Sequence, residues 1–394
     1  MTLSHSPENP HIYRGLNSVN FVMALSETEI LMKTKIGFIG CGNISDTYFK
    51  AAQSFDVIQV MACADIDLER ARSQAAKHGL PHACKPEELL DDPEIQIVVN
   101  LTLPASHAQV ALAALEAGKS VYNEKPLAID RNEAQRLLQV AETKGLRVGC
   151  APDTFLGAGL QTCRKLVDQG TIGVPLGAAA FMMRHGPEDW HPNPDFFYQP
   201  GGGPMFDVGP YYLTALIALL GPVRRVTGSA RISFPERTVG SGSKRGSKIT
   251  VRTPTHIAGL LDFASGPVGT ILTSFDVWGS GLPHIEIYGS EGTLSVPDPN
   301  TFGGPVRLWR ARTETWEEVP LVPGFTGNTR SVGIADMAYA IQTDRPHRAS
   351  GLMGYHVLDL ILAIHEASQE GRHMEMSSTC DQPAPLPPVN RLFR

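Results

Sequence analysis

An acidic and a phenolic side chain lie four residues apart in the segment GGGPMFDVGPYY, residues 201–212. Asp207 and Tyr211 introduce an apolar run that is predicted to be helical, and helix residues four positions apart share one face. A carboxylate and a phenol on one face can orient a bound hydroxyl and transfer its proton. Two simpler interpretations stay open: Asp207 as a cap of the helix, a role that aspartate favours, and Tyr211 as a packing aromatic.

A lysine in the segment VYNEKPLA is the second candidate for chemistry. Lys125 follows a predicted strand, at the edge where parallel sheets bind their ligands. An ammonium group there can hydrogen-bond the oxygen of a reacting alcohol and stabilise developing negative charge. Taken alone, Lys125 is also explained as a surface lysine that pairs with Glu124.

A glycine-containing turn ends the first predicted strand, in the segment GFIGCGNIS. Gly40 allows a tight turn, Gly42 lets a pyrophosphate approach the backbone, and the small Ser45 lets helix and strand pack closely. The helix N-terminus that follows offers N–H groups and a positive dipole end to phosphate. The pattern therefore predicts a dinucleotide site, with Asn43 and Ile44 beside the phosphates.

A carboxylate ends the second predicted strand. Asp65 can accept both ribose hydroxyls of NAD and would repel the 2′-phosphate of NADP. No arginine follows Asp65 directly, which also favours NAD. Arg70 lies one helical turn further on and keeps NADP open as the less favoured cofactor.

The elements that must position these residues change in character along the chain. Up to about residue 155, short apolar runs alternate with helical patterns, as in a parallel, doubly wound sheet. A helix, an extended run and the glycine-rich segment follow. Strand-like runs separated by turn signals then indicate a largely antiparallel sheet, which two late helices complete.

The composition limits the class of protein. The 394 residues carry a net charge of −6, with 42% hydrophobic and 19% charged residues, as in ordinary globular proteins. The acidic balance argues against nucleic acid as a partner, and no apolar run reaches the roughly 18 residues of a membrane span. The six cysteines are scattered without a C-x-x-C pair, which predicts reduced thiols in a cytoplasmic protein and no metal site.

These motifs, with the segment VVNLTLPASHAQVALAALEAGKSVYNEKPLA at 98–128, resemble the Gfo/Idh/MocA family of sugar and cyclitol oxidoreductases. The Glu-Lys-Pro motif at 124–126 is the most specific part. The GGG-x-x-x-D segment at 201–207 and IEIYGSEGTLSVPDP at 285–299 support the resemblance, which covers about residues 34–375. It implies an NAD-binding Rossmann domain, a second α+β domain with a large open sheet, and a homodimer or homotetramer that this sheet assembles.

The resemblance also implies roles for single residues. Lys125, Asp207 and Tyr211 would be catalytic and would contact the substrate. The family usually has a histidine where Tyr211 stands, although some members have tyrosine. Because a free tyrosine has a pKa of about 10, Tyr211 is either a lysine-assisted acid/base or only a hydrogen-bond donor. The predicted cofactor contacts are Gly40, Gly42, Asn43, Ile44, Asp65, Leu103, Pro104, His107, Glu124 and Lys125.

An aromatic segment, EDWHPNPDFFYQ at 188–199, precedes the triple glycine. Aromatic rings among polar groups suit a sugar, whose C–H face stacks while its hydroxyls form hydrogen bonds. Trp190 and His191 are therefore predicted substrate contacts. His185 and His284 are further candidates.

We expect four segments: an N-terminal extension over 1–33 that is disordered or marks an upstream translation start, with a functional arm as the alternative, a Rossmann domain over 34–155, a catalytic and oligomerisation domain over 156–376, and an unpacked proline-rich tail over 377–394. The predicted activity is hydride transfer between nicotinamide C4 and a carbon of a sugar, sugar derivative or cyclitol. Two alternatives stay open: a glycosidase or lyase that oxidises its substrate transiently with NAD, and a non-catalytic NAD-binding regulator.

Overall fold

The computed structural model describes residues 32–387, so the predicted N-terminal extension, apart from its last two residues, lies outside the described residues. Six parallel strands form the first sheet of the described part: β1 (Thr34–Ile39), β2 (Ile58–Ala64), β3 (His82–Cys84), β4 (Ile97–Asn100), β5 (Ser120–Asn123) and β6 (Val148–Cys150). Their order is β3-β2-β1-β4-β5-β6. Successive strands are added to one side of β1 as far as β3 and to the other side from β4 onward, and such sheets bind ligands where this order reverses, between β1 and β4. The predicted doubly wound sheet is confirmed.

Five helices connect these strands: α1 (Ser45–Ala52), α2 (Leu68–His78), α3 (Pro86–Asp91), α4 (His107–Glu116) and α5 (Arg131–Lys144). Strands β4 and β5 are buried along their whole length, which explains their continuous apolar sequence. The sequence analysis missed β3 and α3, since a three-residue strand and a six-residue helix give too short a periodic signal.

A second, nine-stranded sheet and a two-stranded hairpin follow. The strands are β7 (Pro175–Met183), β8 (Val223–Arg231), β9 (Glu236–Thr238), β10 (Lys248–Thr250), β11 (His256–Phe263), β12 (Val268–Ser274), β13 (Ile285–Gly289), β14 (Gly292–Val296), β15 (Val306–Arg310), β16 (Glu317–Val319) and β17 (Met374–Glu375). The large sheet has the order β16-β15-β14-β13-β7-β12-β11-β8-β17, and β9 pairs with β10. Its pairs are antiparallel except for β7 with β12, so the predicted, mostly antiparallel sheet is confirmed.

The helices of this second part are α6 (Ala158–Asp168), α7 (Gly203–Asp207), α8 (Gly209–Leu220), α9 (Val332–Gln342) and α10 (Gly351–Glu370). The prediction that one helix carries both Asp207 and Tyr211 is wrong, because the helix is interrupted at Val208, between α7 and α8. Gly209 and Pro210 start the new helix, and a proline is tolerated in a first helical turn but not in a helix interior. Every residue of α8 is buried.

The proline-rich segment after Ser377 was predicted to be unpacked, and for residues 377–387 that prediction is wrong. Arg164 donates a hydrogen bond to the carbonyl of Pro383, and Arg348 donates to that of Pro385. The side chain of Cys380 is buried. Backbone carbonyls satisfied by arginines therefore hold this segment on the fold without any helix or strand.

The last two helices return to the first sheet. Gln342, at the end of α9, donates a hydrogen bond to the Thr34 hydroxyl, and Gly149 of β6 pairs with Ser350 just before α10. Among the described residues, no helix combines the length and the apolar composition needed to cross a bilayer.

Candidate active site

The glycine turn between β1 and α1 has the geometry expected of a phosphate-binding turn. Gly40 has φ +104°, and a Cβ atom there would lie 2.7 Å from the backbone of Leu101, so only glycine fits. A Cβ at Gly42 would meet no atom within 4 Å, and Gly42, Asn43 and Ile44 are all exposed. The turn therefore leaves open space at the N-terminus of α1, where NAD would place its pyrophosphate.

Asp65 lies beside this turn and is held by the backbone of its neighbours. Its two carboxylate oxygens accept hydrogen bonds from the N–H groups of Cys41 and Asp67, each at 2.9 Å. Arg70 Nη1 lies 3.4 Å from the same carboxylate. The carboxylate is thus fixed next to the turn, in the place where a ribose would meet it.

The other predicted cofactor residues divide into surface and interior positions. Leu103 is 62% exposed and Pro104 is half-buried, on the loop that follows β4. His107 is buried, and its two ring nitrogens lie 2.6 Å from the carbonyl of Pro126 and 3.0 Å from that of Thr102. His107 therefore joins the loop after β4 to the Glu-Lys-Pro segment from inside the protein.

Glu124 also faces the interior. Its Oε1 accepts a hydrogen bond from the Tyr48 hydroxyl at 2.7 Å, and its Oε2 accepts one from the backbone N–H of Lys125 at 2.8 Å. The alternative in which Glu124 pairs with a surface lysine does not hold, because this carboxylate is buried and its bond to Lys125 goes to the main chain.

The three predicted catalytic side chains come together where the carboxyl end of β5 meets α7 and α8. Lys125 Nζ donates hydrogen bonds to the carbonyl oxygen of Asp207 and to its Oδ1, the latter at 2.9 Å. The same ammonium lies 5.4 Å from the ring centroid of Tyr211. Asp207 does not cap α8, whose N-terminus has no side-chain cap.

Two arginines that the sequence analysis did not single out flank this cluster. Arg184 Nη2 lies 3.6 Å from Asp207 Oδ2, and Arg330 Nη2 lies 3.4 Å from the Tyr211 hydroxyl oxygen. Arg330 is 119 positions away from Tyr211 along the chain, so no local spacing signals the contact. Positive charge therefore reaches the cluster from two sides.

Burial and charge act differently on the two titratable groups of the cluster. Burial alone would lower the pKa of Lys125, but Asp207, Tyr211 and Glu124 raise it above its ordinary value. Burial raises the pKa of Tyr211, and Lys125 and Arg330 offset this only in part. Lys125 is therefore a cation at neutral pH, and Tyr211 is a protonated phenol.

A cavity of about 210 Å³ lies beside the cluster. Arg184 and Val208 line it next to Asp207, and Asn300, which accepts a hydrogen bond from Arg330 at 2.6 Å, also lines it. Polar groups set among apolar side chains suit a ligand that carries both hydroxyl groups and C–H faces. The remaining lining residues are Phe181, Met182, Met183, Tyr212, Ser280, Leu282, His284 and Asp298.

Neither Trp190 nor His191 of the aromatic segment lines this cavity, and neither do the three predicted catalytic side chains themselves. Trp190 is 59% exposed, and His191 packs edge-on against Phe197 with ring centroids 5.1 Å apart. Burial lowers the pKa of His191, while a bond from Asn193 and the charge of Asp207 oppose that shift. His284, by contrast, lines the cavity and lies 3.0 Å from the Tyr212 hydroxyl.

Family models match both parts of the chain. Residues 34–151 match the model described as "Oxidoreductase family, NAD-binding Rossmann fold", and residues 160–295 match the "GFO/IDH/MocA C-terminal domain". The chain belongs to this family of NAD-binding oxidoreductases. The resemblance stated from the sequence is thereby confirmed, as is NAD as the cofactor that the Rossmann domain binds.

Individual relatives and solved structures can also be compared with the chain. The chain is 27% identical to inositol 2-dehydrogenase of Ralstonia nicotianae over 287 residues, 68% of this chain and 75% of that protein. It is 25% identical to levoglucosan dehydrogenase of Pseudarthrobacter phenanthrenivorans over 265 residues, 63% of this chain and 66% of that protein. A solved levoglucosan dehydrogenase in complex with NADH and levoglucosan superposes with a TM-score of 0.77 at 21% identity, covering 88% of this chain and all of the other, which shows the shared fold.

Two asparagines that the sequence analysis missed organise the sheet edge in this family member. Asn100 and Asn123 end the paired strands β4 and β5, and Asn100 Nδ2 donates to Asn123 Oδ1 at 3.0 Å. Asn123 Nδ2 in turn donates to the carbonyl of Leu127. The pair thus shapes the turn that presents Lys125. A signal was available, because a polar residue at the end of each of two buried strands is unusual.

Proposed function

We propose that this chain transfers a hydride between NAD and a hydroxyl-bearing carbon of a sugar, sugar derivative or cyclitol. The observation that carries the proposal is the meeting of Lys125, Asp207 and Tyr211 at the carboxyl edge of the Rossmann sheet, next to a cavity that is lined by residues of the second half of the chain. Two relatives are named for a cyclitol and an anhydrosugar, which supports this substrate class. Bound NAD would supply the hydride acceptor at its nicotinamide ring.

Lys125 is placed to act on the reacting oxygen. An ammonium group has three N–H donors, and two of those of Lys125 are directed at Asp207. The third is available to a substrate oxygen, where it stabilises negative charge as the hydroxyl loses its proton. Asp207 holds the ammonium in position and, with its Oδ2 turned toward Arg184, orients the sugar.

Tyr211 is proposed to exchange the proton with the same oxygen. Its hydroxyl oxygen accepts a bond from Arg330, which leaves its own proton free to be donated. In the direction of alcohol oxidation the phenolate is the base, and Lys125 assists by favouring the negative charge. The raised pKa of Tyr211 places this step on the alkaline side of neutrality.

A spectrophotometric screen tests the proposal. The protein is mixed with NAD and a panel of sugars and cyclitols that includes inositol and levoglucosan, and NADH absorbance is followed. We expect NADH to accumulate with at least one polyol and not in a Lys125→Met variant. Substrate consumption without accumulation of NADH would instead indicate transient oxidation. NADH binding with no reaction across the panel would favour a regulator.

We also propose that the open face of the nine-stranded sheet forms a homodimer or homotetramer. Helices α6, α8 and α10 cover the opposite face. Leu260, Val268 and Tyr288 lie on the open face and are between 38% and 53% exposed. Light scattering tests this: we expect a multiple of the chain mass, reduced in Leu260→Asp, and a monomeric wild type would contradict it.

A further inference from the structure

We infer that Arg330 is a positioning residue that sets the orientation and the acidity of the Tyr211 hydroxyl. The inference rests on the proposed function, which places Tyr211 at the reacting oxygen. Arg330 lies outside the residues 160–295 that match the C-terminal family model, and no sequence motif points to it. Its contacts in the folded chain are the evidence for a role.

The guanidinium of Arg330 is aimed at the phenol from a fixed position. Nη2 lies 3.4 Å from the Tyr211 hydroxyl oxygen and 2.6 Å from Asn300 Oδ1, and Nη1 lies 2.8 Å from Asn328 Oδ1. Its Cζ atom is 5.8 Å from the centroid of the Tyr211 ring. Two asparagine side chains therefore hold the guanidinium by its two terminal nitrogens, Nη1 and Nη2, next to the phenol.

The groups that accept hydrogen bonds from this arginine do not neutralise its charge, and the carboxyl of Asp153 acts on it only from beyond ion-pair distance. Asn300 and Asn328 are uncharged acceptors, and within residues 32–387 Arg330 forms no ion pair. Arg184, the other arginine at the cluster, instead faces the Asp207 carboxylate. A full positive charge in a half-buried place therefore stands next to the one group of the cluster that is proposed to lose its proton.

The backbone that carries Arg330 is strained and anchored at the next residue. Ser331 has φ +119°, a region that a serine rarely adopts, and it is fully buried. Its N–H and that of Gly333 both donate to Asp153 Oδ2 at 3.0 Å. Strain of this kind persists only where the surroundings impose it, and here it fixes the direction in which the arginine leaves the backbone.

Tyr48 connects the segment that carries Arg330 with the segment that carries Lys125. Ser331 Oγ donates to the carbonyl oxygen of Tyr48 at 3.1 Å, and the Tyr48 hydroxyl donates to Glu124, which accepts the backbone N–H of Lys125. The segments that present Lys125 and Arg330 are therefore both fixed to α1. The two cations keep their spacing around Tyr211 as a consequence.

This arrangement gives Arg330 two effects on Tyr211. Because the guanidinium donates to the phenol oxygen, the phenol O–H is turned away from Arg330 and left free for another acceptor. When the phenol gives up its proton, the same N–H donor faces a phenolate and the contact becomes a charge-assisted hydrogen bond. Removing Arg330 should therefore make Tyr211 harder to deprotonate.

A direct titration of Tyr211 tests the inference without depending on turnover. The protein is labelled with [13C]tyrosine and titrated with NADH present, and the Tyr211 resonance is assigned by its loss in Tyr211→Phe. We expect Arg330→Gln to raise the apparent pKa of Tyr211 by about one unit, a tenfold change in acidity. Arg330→Lys keeps a charge but not the two-nitrogen clamp, so its value should lie in between. Arg184→Gln, which removes the arginine at Asp207, should change the pKa of Tyr211 much less.

Kinetics on the best substrate from the screen provide the second readout. In Arg330→Gln the rising limb of the pH–rate profile should move to higher pH by the same unit, with kcat affected more than KM. In the Tyr211→Phe background, Arg330→Gln should add less than about threefold, because the two residues act as one unit. An unmoved Tyr211 titration in both Arg330 variants would overturn the inference. If Tyr211→Phe itself leaves turnover and profile unchanged, the proposed role of Tyr211 fails instead.

Discussion

The ammonium of Lys125 lies 2.9 Å from the carboxylate of Asp207, although 82 positions separate the two residues in the chain. Lys125 lies two residues after the end of strand β5 and Asp207 ends helix α7, so their contact joins the Rossmann sheet to the second half of the protein. Neither side chain is more than 20% exposed. An ion pair with so little solvent access is costly to break by removing only one partner.

Replacing Lys125 by methionine should abolish most turnover while NADH still binds. Methionine keeps an unbranched apolar side chain close to the length of the lysine stem but cannot donate to the reacting oxygen, so a loss of at least about 100-fold is expected. NADH affinity, measured by fluorescence, should stay within about threefold because the glycine turn and Asp65 are untouched. A variant that retains wild-type turnover on its substrate would show that Lys125 is not at the chemistry.

Asp207→Asn gives the matched test of the same pair. The asparagine keeps the shape but removes the negative charge that raises the pKa of Lys125. We expect turnover to fall and the substrate KM to rise, since Asp207 is proposed to orient the sugar. An unchanged KM together with lost turnover would show that Asp207 positions Lys125 but does not orient the sugar.

Replacing Tyr211 by phenylalanine tests proton transfer at the cluster. If the phenol is the acid/base, turnover should fall by about 10²–10⁴-fold and the rising limb of the pH–rate profile should disappear. If it only donates a hydrogen bond, the loss should be near tenfold and the profile should keep its shape.

The neighbouring tyrosine supplies the control. Tyr212 is also buried and also lines the cavity, but its hydroxyl contacts His284 instead of the cluster. Tyr212→Phe should raise KM at most and leave the position of the rising limb where it is. Equal effects of the two variants would mean that the aromatic pair acts through packing.

The first half of the fold was largely predictable because its signals are local. Helices α2 and α5 both start at an aspartate whose side chain accepts backbone N–H groups, a signal that the local sequence carries. Asp65 and the glycine turn were found because a strand, a turn and a helix follow one another in sequence. Lys125 was found because it lies two residues after the end of a buried strand.

The parts that failed are either hidden by a continuing apolar pattern or depend on contacts between distant segments. The break at Val208 follows from Gly209 and Pro210, but the apolar pattern continues through it and hides it. Arg330 and Arg184 reach the cluster only in the folded chain, so no spacing reveals them. The segment after Ser377 has the composition of an unpacked tail, yet arginines from other elements bind its carbonyls.

Cofactor preference should depend on Asp65 and Arg70 in opposite directions. Wild type is expected to bind NADH more tightly than NADPH, because the Asp65 carboxylate repels a 2′-phosphate. Asp65→Ala should weaken NADH binding about tenfold and so reduce the difference between the affinities for NADH and NADPH. Arg70→Ala should weaken NADPH binding more than NADH binding, since Arg70 is the cation next to that position. Wild-type protein that binds NADPH as tightly as NADH would contradict the assignment.

Stability should decline in mild acid because of a buried histidine that makes no contact with the catalytic cluster. His356 has no exposed surface, its Nε2 accepts the N–H of Val223, and its Nδ1 lies 2.8 Å from the hydroxyl of Ser378. Burial lowers its pKa from 6.5 to about 4, and the nearby charge of Asp359 opposes this only in part. Protonating Nε2 would remove the acceptor of the Val223 N–H and place a charge in the interior.

The sign follows from comparing the folded and unfolded chains. The unfolded chain takes up a proton at His356 near pH 6.5 and the folded chain only near pH 4, so this contribution to stability is complete above pH 6.5 and is lost as the pH falls toward 4. Between pH 7.5 and pH 5 it should remove about 2 kcal/mol from the free energy of unfolding. Urea unfolding at the two pH values measures the difference. In His356→Gln, the amide oxygen can still accept the Val223 N–H, so the free energy of unfolding should fall less between the two pH values, by about that amount. The control is His373→Gln at an exposed position, which should show the same decline as wild type. An equal decline in wild type and His356→Gln would show that other groups cause the acid sensitivity.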